Sequence, residues 1–199
     1  EATGVQTAVV LGTATGSDTA GDVTITNNAP ATFPVGTTIV TWTATDASGN
    51  ISTDTQTVTI TDTTVPVVTA PLAVTAEATG VQTAVVLGTA TGSDIAGSVT
   101  ITNNAPATFP VGTTIVTWTA TDASGNISTD TQTVTITDTT VPVVTAPLGV
   151  TAEATGVQTA VVLGTATGSD IAGAVTITNN APATFPVGTT IVTWTATDA

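Results

Sequence analysis

The 199-residue chain contains no lysine, arginine, histidine, cysteine, methionine or tyrosine. A nucleophilic serine or threonine needs a neighbouring base, and histidine is the usual one. Only carboxylates are on offer, and no carboxylate pairing is visible in the pattern, so an enzyme is not expected. Without cysteine there is no disulfide frame and no thiolate metal site, a usage compatible with secretion. Without lysine, an intramolecular isopeptide staple is excluded as well. Fourteen Asp and Glu face no cation, for a formal charge of −14. Such a surface repels phosphate backbones and anionic lipid, so nucleic acid is not an expected partner. Charged residues are 7% of the chain, against roughly 25% in ordinary soluble domains, which leaves a neutral surface with sparse negative charge. No apolar run approaches the ~18 residues of a membrane span, so direct membrane insertion is not expected either. The first residue is Glu1 rather than Met, and the chain reads as a window on a longer tandem array.

What is present is repetition. "EATGVQTAVVLGTATGSD" begins at Glu1, Glu77 and Glu153, a period of 76 residues. The first two copies differ only at Thr19/Ile95, Asp22/Ser98 and Ala73/Gly149, and the third departs from the second only at Ser98/Ala174. Within each period, short runs alternate Thr with an apolar residue and are separated by Gly, Pro, Asn and Asp. That is strand spacing rather than helix spacing. In the middle copy the pattern predicts strands over 67–70, 74–78, 83–90, 98–103, 113–121 and 131–137, with a short piece near 107–109.

Alternation puts Val116, Trp118 and Ala120 on one face, with Val134 and Ile136 from the neighbouring strand. Thr117, Thr119, Thr121, Thr133 and Thr135 point the other way, and Ile115 is the apolar exception on that side. Val99, Ile101, Val86, Phe109 and Leu72 are expected to complete a core between two sheets about 10 Å apart. Thr accounts for 22 residues of the first period. Its β-branched side chain suits a pleated surface and its hydroxyl keeps that surface wet. The Trp residues sit among inward-facing Val and Ala, which favours core over a sugar-stacking platform.

"FPVGTTIVTWTATDASGN" followed by "TQTVTITDTTVPVVTAP" resembles the hyalin-repeat (HYR) family of immunoglobulin-like extracellular modules, known also among bacterial tandem repeats. The resemblance runs through every copy and implies an all-β fold: tandem immunoglobulin-like β-sandwich domains of about seven strands, head to tail. It further implies a secreted or cell-surface array that acts in adhesion or as a structural stalk.

With Asp-Thr-Thr-x-Pro as the junction, residues 1–62 form a repeat lacking its first strand, 63–138 a complete repeat, and 139–199 a repeat lacking its last strand. Pro66, Pro71, Pro142 and Pro147 fall on the first strand, which suits only a sheet edge because Pro cannot donate to the ladder. Expected partners are neighbouring copies of the chain, through head-to-tail contacts, strand exchange or lateral bundling.

A 76-residue sandwich without disulfides sits near the lower size limit for a single core, which turns attention to bound Ca²⁺. Calcium takes six to eight oxygen ligands, and oxygen is the one ligand type this chain offers in quantity. In an immunoglobulin-type sandwich the last strand leads to the next domain's loops. That brings Asp62 toward Asp94, Asp122 and Asn126, and Asp138 toward Asp170 and Asp198. Glu77 and Glu153, on loops at the opposite poles of their own domains, reach the same junctions. The second set lacks its Asn and is expected to be incomplete. Equally, Asp122-Ala-Ser-Gly-Asn126 is ordinary hairpin chemistry, with Asp starting the turn and Gly in a left-handed position, and the sequence leaves both readings open. The expected function is a structural, non-enzymatic extracellular fibre or adhesin stalk. The alternative is an adhesin module that recognises carbohydrate or a protein partner.

Overall fold

The computed structural model describes residues 1–198 and is all-β. Its strands fall into two compact units, each built on one or more ladders. The first comprises Glu1–Pro71, Thr89–Asn104 and Thr117–Thr131; the second takes in Leu72–Gly88, Ala105–Val116 and the residues from Gln132 onward. Among the described residues no helix is long and apolar enough to cross a membrane.

The first unit is organised by an antiparallel sheet of Val23–Asn27, Gly36–Asp46 and Ile51–Ile60. Its register sets Val40 opposite Gln56, Trp42 opposite Asp54 and Ala44 opposite Ser52. Because side chains alternate along a strand, Val40, Trp42 and Ala44 share one face and the intervening threonines the other. Phe33 and Val40 are almost fully buried and pack with Ala2, Val58 and Ile60. Gln6–Thr7 pairs with Phe33–Pro34 and closes the end of this cluster. The hairpin after Asp46 turns on Gly49, whose φ of +86° lies in the left-handed region.

The same pattern recurs in the middle copy. Val116, Trp118, Ala120, Val134 and Ile136 are buried, and Ile115 is exposed, as alternation requires. Val67–Thr69 pairs antiparallel with Thr91–Ser93 in the first unit, and Val74–Glu77 pairs parallel with Val134–Thr137 in the second. The first strand is therefore in two pieces, interrupted at the Pro71-Leu72-Ala73 stretch. Its prolines flank a piece that belongs to a two-stranded sheet, a position that asks no ladder donor of them.

Three expectations need correction. The strand expected over 83–90 is not a ladder: Thr83 makes one bridge to Phe109, and the paired strand is Thr91–Ser93. Thr83 is buried and Val85 and Leu87 half-buried, so the alternation is real, but the Leu87 carbonyl is taken by the Gln132 side chain and Gly88 bends away at φ +85°. Val86 and Leu72 are 89% and 90% exposed and lie outside the core, since Val86 has the outward parity and Leu72 follows the proline interruption. The last strand begins at Ile127, not 131. Its first residues are polar on both sides and carry no alternation, yet the hairpin continues their pairing in the first copy as far as Thr45↔Ile51.

The second unit also holds Val143–Thr145 against Thr167–Ser169, Gln158–Thr159 against Phe185–Pro186, and Thr176–Asn179 against Trp194–Thr197. These repeat the first two copies' pairings at the 76-residue offset.

Candidate metal centre

Each copy ends its last strand on an aspartate followed by Thr-Thr. In the first unit that aspartate, Asp62, meets two loops. One is the turn after Thr91–Ser93, which carries Asp94; the other is the hairpin Asp122–Asn126. One carboxylate oxygen from each of Asp62, Asp94 and Asp122 lies within 4.8 Å of the others. Asp62 and Asp122 are buried, at 8% exposure, and Asp94 is half-buried.

The hairpin holds its own aspartate tightly. Asp122 Oδ1 accepts the N–H groups of Ser124 at 2.8 Å and Asn126 at 2.9 Å, and Oδ2 accepts Asn126 Nδ2 at 2.8 Å. Burial pushes the Asp122 carboxyl up, but the Asn126 side chain and the N–H groups of Asn126, Ser124 and Gly125 outweigh it and hold it below the usual range. Two further bonds tie the loop to the junction. Ser124 Oγ donates to Asp62 Oδ2 at 3.1 Å, and Asn126 Nδ2 donates to the Asp62 carbonyl at 3.1 Å. Asn126, expected as a ligand, thus acts as a brace between Asp62 and Asp122. Ser124 was not singled out by the sequence, where it reads as turn filler.

In the first copy the equivalent loop makes the same internal bonds: Asp46 Oδ1 accepts from Ser48 and Asn50, each at 2.8 Å, and Oδ2 accepts Asn50 Nδ2 at 2.7 Å. The turn is therefore self-sufficient, and the contacts to Asp62 are additional to it. The two readings of Asp-Ala-Ser-Gly-Asn are not exclusive.

The second unit repeats the arrangement, with Asp138, Asp170 and Asp198 each offering an oxygen within 4.8 Å of the others, all half-buried. Glu77 ends a strand rather than lying on a loop. Its carboxylate accepts Thr139 N at 2.7 Å and Thr139 Oγ1 at 3.0 Å, which brings it to this junction. Glu1 does the same for Thr63 N at 2.9 Å. Glu153 is exposed and lies in neither cluster.

Burial and the charges of Asp170, Asp198 and Glu77 raise the Asp138 carboxyl above its ordinary value of 3.8, against one lowering bond from Thr140 N–H. A carboxyl raised in the folded state takes up a proton on folding, so its contribution falls as pH rises from about 3.8 through the raised value. In the presence of chelator, Asp138→Asn is therefore expected to melt higher than the unmodified chain at pH 7. That advantage should disappear as the pH is brought below 3.8. A melting difference that does not change with pH would contradict the assignment.

The donor set is oxygen only, which is the chemistry of calcium and magnesium rather than of softer ions. Asp94 Oδ1 and Asp170 Oδ1 are buried and without a hydrogen-bond partner, while the second oxygen of each accepts an N–H two residues on, at 2.7 Å. Buried polar atoms are rarely left unpaired, and the chain has no cation of its own to place there. These residues fit a hard divalent cation: three carboxylates per cluster, with room for carbonyl and water oxygens.

A family model for the HYR domain matches residues 2–60, 61–136 and 137–199. Two curated relatives, both named hyalin, come from Lytechinus variegatus and Strongylocentrotus purpuratus. The first is 39% identical over 83% of this chain and 34% of its own length; the second is 38% identical over 89% of this chain and 16% of its own length. The chain thus spans about a third and a sixth of these relatives. A crystal structure of the protocadherin GammaB4 extracellular domain covers 62% of this chain and 26% of its own, at 16% identity and a TM-score of 0.30, too low a likeness to bear on the fold. With all three 76-residue copies matched, the chain belongs to the HYR domain family.

Proposed function

We propose that the chain is a structural, non-enzymatic repeat region of an extracellular fibre or cell-surface adhesin stalk, with Ca²⁺ bound at each Asp-Thr-Thr junction. The observation that carries this reading is the recurrence, 76 residues apart, of three aspartates from separate segments gathered within 4.8 Å, each cluster with one buried, partnerless oxygen. An ion there joins the end of one copy's last strand to two loops of the next. Extracellular modules bind calcium with Kd around 10⁻⁴–10⁻³ M, so such a junction is loaded outside cells and empty in the cytosol.

The composition supports the same reading. Side chains for nucleophilic or acid–base chemistry are missing, and near-identity among copies leaves no variable loop for recognition. Trp118 is buried, and Trp42, half-buried, donates its ring N–H to Gln56 Oε1 at 2.9 Å rather than offering a free stacking face. These features weigh against the rival role as a carbohydrate- or protein-binding module.

The reading is tested with an antibody raised against the Thr38–Asn50 sequence, used on intact cells with gold labelling. Labelled filaments or stalks on unpermeabilised cells are expected. Labelling that appears only after permeabilisation would overturn the proposal.

A further inference from the structure

The first copy holds a groove of about 560 Å³ whose walls include Thr15, Gly16, Ser17, Asp54 and Gln56. In the middle copy the counterparts of these residues hold the first strand. Thr91, Gly92 and Ser93 pair with Thr69, Val68 and Val67. Asp130 Oδ2 accepts Ala70 N at 2.8 Å, and Gln132 Nε2 donates to Leu72 O at 2.8 Å. The groove therefore carries a backbone edge, an acceptor for one N–H and a donor for one C=O, in the order in which a Pro-Val-Val-Thr-Ala-Pro-Leu strand presents them.

The glycines make the comparison sharp. A Cβ on Gly92 would lie 3.1 Å from Val99 and Ile101 and 2.9 Å from Val67 O; a Cβ on Gly168 would lie 3.0 Å from Val143 O. On Gly16 the apolar neighbours are the same kind, Val23 at 3.1 Å and Ile25 at 3.3 Å, and no strand carbonyl is there. The seat is shaped and the strand is not in it. Thr15–Ser17 is exposed and in no ladder. Asp54 Oδ1 accepts Thr55 N at 2.8 Å, as Asp130 Oδ1 accepts Thr131 N, which leaves Oδ2 in the role that meets Ala70 in the middle copy.

We infer that this groove is an acceptor for a β-strand donated by a second copy of the chain, through the Pro-Val-Val-Thr-Ala-Pro-Leu sequence found at 66–72 and 142–148. Main-chain pairing along an exposed edge supplies affinity in such complexes, and pockets for alternate side chains supply register. The occupant is identified by the two copies in which the same sequence fills the same seat. The inference is independent of calcium, because the groove contains none of the junction aspartates.

The test uses a fluorescent peptide of that sequence, the 1–199 chain and chelator throughout, so that failure of the metal reading cannot be mistaken for failure of this one. Saturable one-to-one binding is expected, with a scrambled peptide unable to compete. Asp54→Ala removes an exposed carboxylate and Gly16→Ala places a methyl where the incoming carbonyl must sit; each is expected to weaken binding at least tenfold. With Ser17→Cys, a peptide bearing cysteine at its first valine should form a disulfide, and with Thr15→Cys it should not. At high protein concentration the chain alone should sediment as multimers that excess peptide dissolves. Absent binding, equal competition by the scrambled peptide, variants without effect, or a chain that stays monomeric would each overturn the inference.

Discussion

Gln132→Ala is expected to destabilise the middle copy by about 3 kcal/mol or more, since two carbonyls lose their partner and each buried orphan costs ~1–3 kcal/mol. Gln132 is 1% exposed. Its Nε2 donates to Leu72 O and Leu87 O, both at 2.8 Å, at the proline interruption of the first strand and in the unpaired stretch after Thr83. Neither carbonyl has a ladder, so a single side-chain amide stands in for two strand pairings. Truncation also leaves a cavity, which adds to the loss. Gln132→Glu should be no rescue, because a carboxylate offers no donor to a carbonyl. Chemical denaturation of the chain and both variants checks this, and loss below about 1 kcal/mol for Gln132→Ala would contradict the clamp.

The second large effect is one of sign. With calcium at ~100 times its Kd, binding to the folded state contributes about 2.7 kcal/mol, and Asp94→Asn should forfeit most of it by removing a carboxylate from the cluster. With chelator the same substitution should stabilise, because it relieves repulsion among three carboxylates within 4.8 Å and supplies an amide N–H where Asp94 Oδ1 is orphaned. A purely structural aspartate would lose stability in both conditions. Melting of both proteins in calcium and in chelator distinguishes these outcomes.

Much of this molecule is legible in the sequence because one signal, alternation of Thr with Val, Ile or Trp, operates wherever one sheet face is buried. It identifies Val116, Trp118, Ala120, Val134 and Ile136 without ambiguity. It fails where backbone pairing and side-chain parity separate. The stretch after Thr83 alternates but pairs through Gln132 rather than a neighbouring strand, and Ile127–Asp130 pairs without alternating.

The gathering of Asp62, Asp94 and Asp122, and of their 76-residue counterparts, was readable from repeat phase and loop order. The supporting residues were not. Ser124 is invisible as anything but a turn residue, and Asn126 proves to be a brace. Asp130 and Gln132 did carry a signal: they share parity with Val134 and Ile136, so polar side chains at inward positions mark where the first strand is clamped. A short Pro-flanked strand gives little of its own, and the residues that receive it are the better guide.

The central claim, that hard cations occupy the junctions, is tested most directly by thermal melting of the unmodified chain in millimolar calcium and again after chelation. For domains of this size a change of 1 kcal/mol moves the melting temperature by about 4–8 °C. Calcium is therefore expected to raise it by roughly 10–20 °C, saturably, with sodium at matched ionic strength unable to substitute. Equal melting temperatures with calcium and with chelator would contradict the account.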